Sequence, residues 1–149
     1  MFEYTLLKLA HVLAVVLWVG GMYFAHTCLR PAAALLDPPQ RLVLMTATLS
    51  RFLAAVLWAA PIAWLSGFAM LMISGRASTL PIGWSLMAGL GTLMLLIYGH
   101  IRFAQFPALR RAVDATDWPR AGAALARIRR WVLVNLILGV ATIVTTALR

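Results

Sequence analysis

Ionisable side chains lodged in apolar stretches are where this chain's chemistry should lie. Lys8, His11, Arg51 and His100 each interrupt a run of apolar residues, and His26 and Asn135 sit nearer the ends of such runs. Each ionisable group costs about 2.5–3.5 kcal/mol to place in hydrocarbon on insertion scales, so each is a candidate for a ligand, a pathway or a partner. Neutral imidazoles from two facing helices can ligate a haem iron axially, or join thioether and thiolate donors around copper. Met22 lies one turn before His26, Cys28 follows closely, and Met70, Met72, Met87 and Met94 supply further soft donors. The candidate metal ligands are therefore His11, Met22, His26 and His100. The three histidines are also the candidates for a haem b site, with Arg51 and Arg130 placed to hold a propionate or other anion bidentately. His11 and His26 are about 22 Å apart along one helix and cannot share an ion.

Each of these residues also has a plainer role to weigh. Lys8 can snorkel to the interface and His11 can hydrogen-bond a neighbouring helix. His26 and His100 can meet lipid headgroups, and the methionines can simply fill the core. Arg51 and Arg130 can serve as positive anchors, and Asn135 can glue helices together.

The elements that position these residues follow from composition. The chain is 63% hydrophobic with a mean hydropathy of +0.91, against roughly 45–50% apolar residues in a soluble domain. Its 149 residues are expected to form a single all-α membrane domain, a bundle of four transmembrane helices over about 4–29, 38–73, 84–103 and 118–148. Arg30 and Pro31 should end the first span. Asp37 followed by Pro38 and Pro39, and Asp117 followed by Trp118 and Pro119, mark helix starts. Ser74 to Gly83 reads as a short turn, and the arginine-rich stretch from Gln105 onward as the main connector.

Ten of the thirteen basic residues fall on the first and third connectors or beside them, and three (Lys8, Arg76 and Arg149) on the other side. The positive-inside rule then places both termini in the periplasm of a bacterial inner membrane. The net charge of +9 faces lipid phosphates and does not imply nucleic acid. His26, Pro31, Asp37, Arg41 and Arg51 run in the same order as His100, Pro107, Asp114, Arg120 and Arg130, which raises a two-fold repeat of helical hairpins. Glycines 20, 21, 89 and 91 should allow close helix approach. There is no CxxC, phosphate loop, GxSxG or carboxylate pair, so hydrolytic and nucleotide chemistry are disfavoured. Whether the chain is an enzyme, and whether it forms a homo-oligomer, both stay open.

Lys8-x-x-His11 followed by Trp18-x-Gly20-Gly21, the Arg51-Phe52 pair, and the run to Gly139 carrying Arg130 and Asn135 resemble the CopD (copper resistance D) family. That resemblance implies copper uptake or homeostasis with a periplasmic copper-binding partner, and it points to His11 and Arg51. Lys8-x-x-His11, Tyr98-x-His100 and the segment from Arg130 to Asn135 are similar to HemJ-type protoporphyrinogen oxidases, four-helix haem b proteins. Copper and haem b are thus both expectations, beside a cofactor-free structural partner protein in the lipid bilayer.

Overall fold

The computed structural model describes residues 2–74 and 82–147. It contains four long helices: α1 (Phe2–Ala33), α2 (Pro38–Ile73), α3 (Ile82–Asp114) and α4 (Trp118–Ala147). All four are long and apolar enough to cross a membrane, and no strand occurs among the described residues. The membrane-spanning bundle is as expected. α2 begins at Pro38 because Asp37 is extended (φ −57°, ψ 149°) and the prolines that follow need no N–H partner in the first turn. The expected turn from Ser74 to Gly83 falls largely on 75–81, outside the described residues, as do Arg76 and Arg149.

Two helices run further than expected. α1 passes through Pro31, and α3 continues through the arginine-rich stretch to Asp114, leaving only residues 115–117 as a link to α4. Thr116 adopts φ 54° there, which reverses the chain tightly. Proline normally breaks a helix because it lacks an N–H and its ring collides with the carbonyl four residues back. Both helices avoid this by widening for one turn into a π-helix, Ala25–Leu29 before Pro31 and Ile101–Gln105 before Pro107. The Arg30 N–H reaches the Ala25 carbonyl and the Phe106 N–H reaches that of Ile101, so the helix continues past the proline.

These paired π turns set a register between the two halves. A shift of 76 residues carries Ala25–Leu29 onto Ile101–Gln105 and Pro31 onto Pro107. In the second helix of each half the shift is 80, since the Arg41 N–H bonds the Asp37 carbonyl as the Ala121 N–H bonds that of Asp117. The register therefore differs from the one suggested by residue order. His26 corresponds to Arg102 rather than His100, Asp37 to Asp117 rather than Asp114, and Arg51 to Trp131 rather than Arg130. α1 packs chiefly on α2 and α3 on α4, while α2 and α4 also touch each other and each touches both outer helices.

Between lipid-embedded helices there is little hydrophobic drive, and close van der Waals packing takes its place. A Cβ on Gly139 would lie 2.9 Å from Val19 Cγ2 and 3.1 Å from Met94 Cε, so this glycine lets α4 seat against both α1 and α3. A Cβ on Gly21 would overlap the Phe52 ring. A Cβ on Gly20, Gly89 or Gly91 would meet nothing within 4 Å, so these three do not mark close crossings. Gly139→Val is expected to cost about 1–3 kcal/mol, as overpacking does, lowering the thermal midpoint in detergent. Gly20→Ala should stay within about 0.5 kcal/mol of the parent.

Candidate functional site

His11 hydrogen-bonds across to another helix. Its Nδ1 lies 2.7 Å from the Ala63 carbonyl oxygen and 3.2 Å from Ser66 Oγ. A carbonyl can only accept, so Nδ1 carries a proton and donates it, and in the neutral ring the lone pair then belongs to Nε2. Ser66 is anchored in turn by donating to the Ile62 carbonyl. Gly67 makes room for the ring, since a Cβ there would come within 3.2 Å of His11 Cε1.

The His11 imidazole lines a cavity of about 140 Å³. In the register of the repeat, His11 corresponds to Met87, Val15 to Gly91, Trp18 to Met94 and Ala63 to Ile143, and both members of every pair line this cavity. It therefore lies on the interface between the two halves. Ala63 is about 15 Å from the end of α2 at Ile73, half the thickness of a hydrocarbon core. The cavity runs from there towards Leu71 and Trp84 at the end of the bundle that carries the N-terminus. On its other side, Trp18 meets Tyr98 edge-on at 6.2 Å, and the Tyr98 hydroxyl donates to the Leu53 carbonyl at 2.7 Å. Nearby on the buried face of α4, Asn135 is 1% exposed and its Oδ1 has no hydrogen-bond partner.

An imidazole nitrogen with thioether sulfurs is a donor set for a soft, low-coordinate ion such as Cu(I). The rings of Trp18, Trp64 and Trp84 also line the cavity, and an indole face attracts a cation. Among the described residues no three or more His, Cys, Asp or Glu side chains cluster. The soft donors that line the cavity are the His11 imidazole and the thioethers of Met87 and Met94.

The other candidates stand elsewhere. Met22 is 2% exposed within the apolar core, away from the His11 cavity. His26 lies in the first π turn and lines a separate cavity with Arg30, Arg41 and Arg129. His100 is exposed, with Nε2 3.0 Å from Gln105 Nε2 and its ring edge-on to Trp131. His11 and His26 line different cavities. Arg51, Arg130, Lys8 and Cys28 are exposed on the helix surfaces. Sequence reasoning missed Ala63, Ser66 and Gly67, although a Ser-Gly pair in an apolar span is a signal for interhelical contact.

A family model described as copper resistance protein D matches residues 46–149, well over half of the chain. The chain belongs to the CopD family. Neither the curated proteins nor the solved structures contain a match. The CopD match covers most of α2 and all of α3 and α4, and with them Ala63, Ser66, Met87 and Met94, while His11 precedes it. Membership makes this a multi-pass membrane protein of a family tied to copper resistance.

The tautomer is directly measurable. Histidine ¹⁵N NMR of the protein in nanodiscs should report His11 protonated at Nδ1 with Nε2 bare. Gly67→Val should displace the ring and mix the tautomers while the fold is retained.

Proposed function

We propose that this CopD-family protein handles Cu(I) in the bacterial inner membrane, most directly by admitting it from the periplasm. The ligands would be His11 Nε2 and the thioethers of Met87 and Met94. One observation carries this reading: the Nδ1 bond from His11 to the Ala63 carbonyl. Metal-binding histidines characteristically donate their second ring nitrogen to a carbonyl or carboxylate, which fixes the tautomer and aims the other nitrogen at the ion. Here that nitrogen belongs to a ring lining a cavity that also holds two methionines.

The position of the cavity supports transport. Substrate sites of repeat-built transporters lie near the bilayer midplane at the interface of the repeats. With the basic end in the cytoplasm, the cavity faces the periplasm, where a soluble copper-binding partner would deliver the ion. Passage onward requires the Trp18, Tyr98 and Leu53 contacts to open, so the arrangement corresponds to an outward-facing state.

Purified protein in proteoliposomes, supplied outside with Cu(I) or its surrogate Ag(I), tests this. Metal accumulation should fall at least tenfold in His11→Leu and in Met87→Leu, and stay within twofold in His26→Leu and His100→Leu. Unchanged uptake in His11→Leu would remove the basis of the proposal.

A further inference from the structure

The basic end of the bundle holds a second cavity, of about 760 Å³, between the π turn of α1, the start of α2 and the start of α4. Arg30, Arg41 and Arg129 line it together with His26 and Trp118. No carboxylate lines it, and the one ion pair among the described residues, Arg110 with Asp114, lies elsewhere on exposed side chains. Arg30, Arg41 and Arg129 thus bring three like charges to the lining of one space. Assembling like charges without a counterion costs stability, and an anion between them reverses the sign of that cost.

The repeat supplies an independent argument. The positions that correspond to Arg30, Ala33 and Arg41 are Phe106, Leu109 and Ala121, which are 4%, 0% and 0% exposed. In the second half the positions of Arg30 and Arg41 are thus held by buried apolar side chains, with Arg102 in the place of His26. In the first half the same place is hollow and cationic. The fold does not require a cavity there.

We infer that this cavity binds a phosphate group, held by the guanidinium groups of Arg30, Arg41 and Arg129. Guanidinium forks match phosphate oxygens bidentately. Pro38, Pro39 and Pro119 remove backbone donors at the adjoining helix starts, so side chains do the holding. The volume exceeds that of a bare phosphate ion and suits a phosphate ester. Two sources carry that chemistry at this depth. One is the headgroup of an anionic phospholipid, since α2 is about 54 Å long and outruns the hydrocarbon core on this side. The other is a soluble phosphate compound.

The full chain in nanodiscs separates these sources. With phosphatidylcholine alone, inorganic phosphate is titrated against chloride at equal ionic strength and the thermal midpoint is followed. With added phosphatidylglycerol, native mass spectrometry counts the lipid retained after release from the disc. Retention of phosphatidylglycerol without a phosphate-specific shift assigns the site to the headgroup, and a phosphate-specific shift assigns it to soluble phosphate. In either case Arg41→Gln with Arg129→Gln should weaken binding at least tenfold. The same variant should leave the ligand-free thermal midpoint unchanged or raised, because like-charge repulsion is relieved. Arg41→Lys, which keeps the charge without the fork, should lie between. Absence of both signals, or binding indifferent to the double substitution, would overturn the inference.

Discussion

Within hydrocarbon no water is at hand to satisfy a polar group, and that constraint governs this molecule from backbone to site. An unpaired backbone group there costs several kcal/mol. At the basic end, beyond the hydrocarbon, Pro31 and Pro107 would each free a carbonyl, yet α1 and α3 stay helical because each spreads its bonding over a five-residue π turn. Inside the hydrocarbon the constraint falls on His11. Its Nδ1 proton needs an acceptor, and the Ala63 carbonyl on α2 supplies one. Satisfying that nitrogen leaves the opposite one directed by the geometry of the ring.

The two π turns set a register between the halves, in which the turns recur and the side chains differ. At the interface of the halves the differences place an imidazole opposite a thioether, His11 against Met87, and an indole opposite another, Trp18 against Met94. Beyond the π turns the differences place arginines where the other half has apolar packing, Arg30 against Phe106 and Arg41 against Ala121. Each cavity is thus a departure from symmetry on a symmetric frame. Gly139 lets the halves approach closely enough to enclose the first of them, while Gly21 lets α1 seat on Phe52 of α2 within one half.

Much of this was legible in the sequence. The apolar spans pointed to four membrane helices, and Asp37 with its two prolines located the start of α2 to the residue. What the sequence hid has physical causes. A proline after an arginine signals a helix stop, and only the geometry discloses that a π turn can absorb it. The order of histidines, prolines and arginines suggested a repeat, but the helix after the proline is longer in the second half, so no single shift fits, and the π turns pair His26 with Arg102. His11 stood out as an ionisable residue in an apolar run. Its partners did not, because a backbone carbonyl has no signature in residue types. Met87 and Met94 were visible as soft donors, and only the helix packing separates them from Met22, which looked better placed beside His26.

The central claim is that the cavity between the repeats holds Cu(I) by one imidazole and by thioethers. X-ray absorption at the copper edge of the protein loaded with one equivalent of Cu(I) in nanodiscs tests it most directly. The account predicts a low-coordinate site with mixed imidazole and sulfur scattering, in which the imidazole contribution disappears in His11→Leu. Copper bound through nitrogen and oxygen alone, or a spectrum unchanged by that substitution, would contradict it.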